Sequence, residues 1–261
     1  FVLNKEMFKQ LKFLLPIFIL SFIFLIASKT NEDFGYYHLP NSLQFAQQKL
    51  QFGLGNLSHG FKHISSLFMI MSLHYLPIFD YFLFNLNNFL FFIFFINFIL
   101  VEIYLKNGEN LNLSTIILSL FLILFLTKFS RLAEYGSDIS GQIVLSIYFF
   151  YFLKFIYNKK IFLEKKIDYL KLSIILVIFA TTLKFISVIY SILLLTFFII
   201  SKNKKKFFLS LFKKEYLIII ILPVIIFIFF NFSSTGCLIY PVENLCFSKR
   251  FDWALSSELI R

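Results

Sequence analysis

The amino-acid sequence predicts an all-α fold, a polytopic transmembrane helical bundle of about seven spans. Three observations carry that expectation. The 261 residues are 59% hydrophobic and only 15% charged, with a mean hydropathy of +0.82, whereas soluble domains are near half apolar and a quarter charged. The apolar residues fall in runs long enough to cross a bilayer, about 20 residues each. The 25 Lys and Arg cluster in short segments between those runs, the pattern of cytoplasmic loops. That clustering also argues against nucleic acid as the reason for the net charge of +11. The 41 Phe accompany abundant Ile, Lys, Asn and Leu, as an AT-rich genome produces, and carry no functional signal.

The first span is residues 11–27, with Lys5, Lys9 and Lys12 ahead of it placing the N-terminus in the cytoplasm. Ser28-Lys29-Thr30-Asn31-Glu32 follows instead of a small-residue cleavage site, so the span reads as a retained helix and not a cleaved signal. Residues 28–77 form a long external loop with two amphipathic helices, 39–52 and 63–76, along the interface. The second carries His63 and His74, breaks at Pro77, and is interfacial or re-entrant. Gly53, Gly55, Asn56 and Gly60 mark a tight turn between them. No Lys-Ser or Lys-Thr follows, so this is not a phosphate loop.

Span two is 78–105, closed by an internal turn at 106–110; span three is 113–129. A second external loop, 130–138, leads to span four, 139–157, and a basic internal segment, 158–171. Residues 172–201 have lysine clusters on both flanks, so they must cross twice as a hairpin, with Lys184 at its external turn. Span seven is 216–232. Residues 1–232 thus read as the transmembrane domain and 233–261 as the start of an external C-terminal segment. A chain that starts at Phe1 and stops in such a segment reads as a piece of a longer protein. Cys237 and Cys246 bracket a short external loop, which favours a disulfide over free thiols; a metal site needs more ligands than the segment offers. Tyr240 and Trp253 fit an interfacial aromatic belt.

Chemistry concentrates at the external face. Asn31-Glu32-Asp33-Phe34-Gly35-Tyr36-Tyr37-His38-Leu39-Pro40 puts two carboxylates, two tyrosines and a histidine where the chain leaves the bilayer. Acids at a helix end often only mark the water boundary or cap the next helix. Here they have company: the second external loop adds Arg131, Glu134, Tyr135 and Asp138. Acids from separate loops on one face can polarise a nucleophile or hold a divalent cation such as Mg or Mn. His38 is the histidine placed for function; His59, His63 and His74 read as polar-face residues. Lys184, amid apolar sequence, is either a solvated hairpin tip or an electrostatic partner for a lipid-linked phosphate.

This layout resembles the GT-C superfamily of multi-spanning glycosyltransferases that use polyprenyl-phosphate sugars, such as protein mannosyltransferases and aminoarabinose transferases. Glu32-Asp33-Phe34-Gly35-Tyr36-Tyr37-His38-Leu39-Pro40, Gly53-Leu54-Gly55-Asn56-Leu57 and Phe61-Lys62-His63-Ile64-Ser65-Ser66 are more narrowly similar to a bacterial GT-C-like branch. The resemblance implies Asp33 as general base toward the acceptor, with Glu32 beside it. It also implies Glu134 or Asp138 assisting acceptor or metal binding, and Lys184 steadying the donor phosphate. Tyr36, Tyr37, His38 and Arg131 would complete substrate binding, in a bacterial inner membrane with the site facing out. The acceptor would be a glycan, lipid or protein of the envelope. Two other classes stand beside this one. A transporter or flippase would use midplane polar residues, for which Asn85, Asn87, Asn88, Asn97 and Glu102 of span two are candidates, although no internal repeat is visible. A non-catalytic envelope assembly protein would not depend on the external acids at all.

Overall fold

The computed structural model describes residues 32–78, 81–82, 86–104, 113–128, 136–157, 163–201 and 204–260, together with Leu15, Pro16 and Ile19. The rest of the first expected span, the turn at 106–110 and the second expected external loop up to Tyr135 lie outside the described residues. What is described is almost entirely helical, with one two-residue antiparallel pairing, β1 (Tyr75–Leu76) with β2 (Tyr81–Phe82).

The segment expected as the first external loop opens with a single π-helical turn, Phe34–His38, that runs into α1 (Leu39–Gln47), where Pro40 sits in the first turn. Proline is tolerated there because its missing N–H would have no intrahelical partner. After two short 3-10 turns (Leu54–Asn56 and His59–Lys62) comes α2 (Ser66–Ser72), capped by the Ser65 hydroxyl, which accepts from the Leu67 N–H. The bundle follows: α3 (Leu86–Tyr104), α4 (Leu113–Thr127), α5 (Ser137–Tyr157), α6 (Leu163–Leu183), a 3-10 run Phe185–Leu193, α7 (Leu194–Ile200), α8 (Lys204–Leu211) and α9 (Lys214–Thr235). A 3-10 turn, Glu243–Leu245, and a final short helix, α10 (Ser257–Ile260), complete the chain.

α5 is the axis of this bundle. Its Ile139, Ile143, Ile147 and Phe150 pack against Phe92, Phe95 and Ile99 of α3 and Leu118 and Phe125 of α4. Val144, Leu145 and Tyr148 meet α2 and α6, and Phe152 and Phe155 meet α6 and Phe197 of α7. Ser140, Gly141 and Ser146 let neighbours approach the α5 backbone closely, as small residues do between packed apolar helices. Among the described residues α5 and α9 are the two helices long and apolar enough to cross a membrane; α5 is mostly buried, and α9 turns Ile218, Ile219, Leu222 and Ile225 outward.

Several expected boundaries move. The helix expected over 39–52 ends at Gln47, because Gln48 turns extended and the Gly53 N–H donates to Ser233 O at 2.8 Å. The one expected over 63–76 is only seven residues long. It is inserted between α5 and α6, with Leu67, Phe68 and Met71 buried and Ser65 donating to Leu183 O at 2.6 Å. The segments expected as basic loops carry helix: α6 begins at Leu163, and Lys204–Leu211 forms α8. The helical path does break at Lys184, whose backbone is extended (φ −145°, ψ 112°), and the 3-10 run then folds back along α6.

The C-terminal segment docks onto the first loop. Asn56 Nδ2 donates to Trp253 O at 2.7 Å, Ser234 Oγ to Phe61 O at 2.5 Å and Lys62 Nζ to Leu259 O at 3.1 Å. Trp253 packs between Phe52 and Phe232, tilted against the first and edge-on to the second, with ring centroids 5.1 and 5.3 Å away. Gly53 (φ 77°) is required where this happens, since a Cβ there would stand 2.7 Å from Trp253 O. Cys237 and Cys246 are joined by a disulfide.

Candidate functional site

The π-helical turn sets Asp33 and Tyr37 on one face, and the Tyr37 hydroxyl donates to Asp33 Oδ2 at 3.1 Å. Burial, then the neighbouring Asp33 charge, pushes the Tyr37 phenol well above its ordinary range, so it stays protonated and keeps donating. Glu32 and Tyr36 point to solvent, Tyr36 being 68% exposed.

His38 turns inward and is 1% exposed, its ring between Tyr37 (4.2 Å) and Phe68 (5.5 Å). Among the described residues neither ring nitrogen has a hydrogen-bond partner. Burial draws its pKa down to about 4, against the opposing pull of Asp33 and Asp138, so the imidazole is neutral. Two segments hold this turn in place. Asn41 Nδ2 donates to Tyr37 O at 2.7 Å and to Gly60 O at 3.1 Å, and Gly60 packs so closely that a Cβ there would lie 1.9 Å from Tyr36 O.

Asp138 and Lys184 form an ion pair, each about half exposed. Asp138 lies in the first turn of α5, where the helix dipole favours a carboxylate. One turn on, Gly141 faces Lys184, whose Cβ would be in ordinary contact, 3.9 Å, with a Cβ at that glycine. Asn88 anchors the start of α5 from α3, donating to Gly136 O at 3.1 Å and accepting from the Ser140 hydroxyl. This asparagine therefore ties two helices together, a structural use of a polar residue in an apolar helix.

Tyr37, Asp138 and Lys184 line one cleft of about 290 Å³, shared with Lys62, His63, Asn231 and Tyr240. Sequence reasoning gave those last four no role. Lys62 is only 8% exposed and spends one N–H on Leu259 O. His63 faces His59 across 3.1 Å, Nε2 to Nε2. Burial first, then His59 and Lys62, lowers its pKa, while Asp33 opposes. Lys62 and His63 fall in the Phe61–Ser66 stretch that carried the family resemblance, which was a signal of place without a signal of function. Nothing in the spacing of Asn231 or Tyr240 marks them; docking of the C-terminal segment is what brings Tyr240 to the cleft.

Of the expected site residues, Arg131 and Glu134 lie outside the described residues. Asp33 and Asp138 both act electrostatically on Tyr37 and His38, so they share one neighbourhood. Among the described residues no group of three or more His, Cys, Asp or Glu is arranged to hold a metal ion.

A family model described as a domain of unknown function, DUF8201, matches residues 2–261, and the chain belongs to that family. No curated protein and no solved structure matches it.

Proposed function

We propose that this member of the DUF8201 family is a membrane-embedded glycosyltransferase of about seven spans. It transfers a sugar, with inversion, from a polyprenyl-phosphate donor to an envelope glycan, lipid or protein on the external face of a bacterial inner membrane. The observation that carries the reading is convergence. Tyr37 of the first loop (which donates to Asp33), the α5 acid Asp138 and the hairpin lysine Lys184 line one cleft although they are far apart in sequence. Boundary-marking charges would be scattered around the rim of a bundle with no reason to share a cavity.

The proposed chemistry needs no covalent intermediate. The acceptor oxygen attacks the anomeric carbon while the Asp33 carboxylate takes its proton; the bond from that carbon to the phosphate oxygen breaks, and polyprenyl phosphate leaves. Tyr37 holds the carboxylate in place without competing for the proton. Lys184 neutralises charge developing on the leaving phosphate, and Asp138 aims it. The outward apolar side chains Ile186, Ile189 and Ile192, next in sequence to Lys184, give the prenyl chain a path into lipid. The apolar exterior of α9 supports the membrane placement. The transporter reading loses support because Asn88 anchors α3 to α5 and Glu102 pairs with Lys154.

The test compares wild type, Asp33→Asn and Glu32→Gln in sugar transfer from a panel of polyprenyl-phosphate sugars, in detergent or nanodiscs. Asp33→Asn is expected to lose at least about a hundredfold in transfer with donor binding retained. Wild-type protein that transfers from no donor, with both variants complementing a deletion strain, would overturn the reading.

A further inference from the structure

We infer that the opposite end of the bundle holds a headgroup site for a phospholipid that carries both a phosphate and a primary ammonium, as phosphatidylethanolamine does. The inference rests on the membrane placement proposed above and is independent of sugar transfer. A cleft of about 370 Å³ lies where the first turns of α6 meet α8 and the start of α9. It is far from the site just described: Asp168 and Lys184 are at opposite ends of α6, roughly 24 Å apart along a helix rising 1.5 Å per residue.

Glu164 and Asp168, one turn apart on α6, bring two carboxylates to this cleft; Lys206 of α8 and Lys213 at the α8–α9 junction bring two ammonium groups. All four are exposed, and among the described residues none of them forms an ion pair with another, so each keeps its charge available to a ligand. Lys171, the third cation, lies over the Tyr216 ring at 5.6 Å, and the Tyr216 hydroxyl donates to Lys171 O at 2.8 Å, tying α9 to α6 beside the cleft.

Such a cavity selects its ligand by charge. A purely anionic headgroup gains the lysines but meets two carboxylates. A choline headgroup has no N–H for those carboxylates to accept. A phosphate with a primary ammonium satisfies both sets through charge-assisted hydrogen bonds. The surroundings point to a lipid and not a soluble phosphoamine. α8 reads Lys-Lys-Lys-Phe-Phe-Leu-Ser-Leu, and Phe208, Leu209 and Phe212 are each more than half exposed. Lysines beside outward aromatics are the signature of a helix lying in the headgroup region. Leu209 also lines the cleft, which gives an acyl chain an apolar route out of it.

The test is native mass spectrometry of the full chain in detergent, titrated separately with dioleoyl phosphatidylethanolamine, phosphatidylcholine, phosphatidylglycerol and water-soluble phosphoethanolamine. Phosphatidylethanolamine is expected to bind at least about tenfold tighter than each of the others, the worth of one or two charge-assisted hydrogen bonds. Glu164→Gln with Asp168→Asn should erase its advantage over phosphatidylglycerol, and Lys206→Gln with Lys213→Gln its binding altogether. Equal affinity for the three lipids, or soluble phosphoethanolamine binding as tightly as the lipid, overturns the inference in the wild type alone, whatever the variants do. A chain that remains monodisperse in water without detergent sinks the membrane placement instead.

Discussion

Gly60 is the most exacting position in the external loop, and Gly60→Ala tests whether packing alone holds the Asp33–Tyr37 turn in place. A methyl at residue 60 would lie 1.9 Å from Tyr36 O, 2.8 Å from Tyr36 C and 2.9 Å from Tyr37 Cβ. Relief to an ordinary contact of 3.4 Å demands about 1.5 Å of separation, and most of it must come from main chain, which cannot swing aside as a flexible side chain can. The same movement stretches the bridge in which Asn41, itself 2% exposed, donates to both Tyr37 O and Gly60 O. Overpacking plus the loss of one buried hydrogen bond totals about 2–4 kcal/mol. In thermal unfolding that is a fall of roughly 5–10 °C for a chain of this size. Gly35→Ala is the control, since a Cβ there meets nothing within 4 Å. It should leave the midpoint within about 1–2 °C of wild type. In the transfer assay Gly60→Ala is expected to lose about a hundredfold, as an ångström of misplacement does to a catalytic group. Equal midpoints for Gly60→Ala and wild type would refute the argument, because a backbone contact this close leaves no inexpensive relaxation.

Three further outcomes follow from other parts of the fold. His38, held near pKa 4 against an ordinary 6.5, accepts a proton less readily folded than unfolded, so its contribution is intact above pH 6.5 and is lost as pH falls toward 4. The loss should total about 3 kcal/mol; denaturant unfolding between pH 7 and 4 should show a shallower decline in His38→Phe, and parallel curves would contradict it. Glu102 and Lys154 pair at 2.5 Å with side chains only 9% and 6% exposed, so Glu102→Gln should cost about 3 kcal/mol by removing the carboxylate paired with a buried ammonium, and adding Lys154→Met should recover most of it. A double mutant no more stable than the single would refute that account. Removing the Cys237–Cys246 disulfide by double serine substitution should cost about 2–3 kcal/mol from its nine-residue separation. It should also weaken donor binding, because Ile239 and Tyr240 line the cleft from inside that loop; a reductant titration of the melting temperature checks the first part.

The helical class was legible in the sequence because apolar composition and run length depend on residues taken one at a time. α5 and α9 fall within a few residues of the spans expected at 139–157 and 216–232, and the backbone breaks at Lys184, where flanking lysines required a turn. Helix ends were harder to read wherever a tertiary contact competes with local preference. Gln48 leaves the helical path so that Gly53 can reach Ser233, and α2 is short because Ser65 caps it against the end of α6. The basic segments hid α8 because lysine runs signal a cytoplasmic location and are silent about helix, although lysine is a good helix former.

The site divides in the same way. Glu32, Asp33, Tyr36, Tyr37 and His38 stood out through local density, and Asp138 and Lys184 through their isolation among apolar neighbours. That Asp138 and Lys184 pair was not readable, because the pairing depends on the tertiary packing of the end of α6 against the start of α5. Lys62 was unreadable for a deeper reason. Its neighbours describe a loop, and its burial comes from the docked C-terminal segment, where the Leu259 carbonyl, nearly two hundred residues away, accepts a hydrogen bond from its ammonium. The cleft is therefore a joint product of the first loop, one hairpin and the C-terminal segment. A perturbation of that last segment should reach Lys62 and Tyr240 before it reaches Asp33, so under the proposed glycosyltransferase function donor affinity should fail first and proton abstraction last.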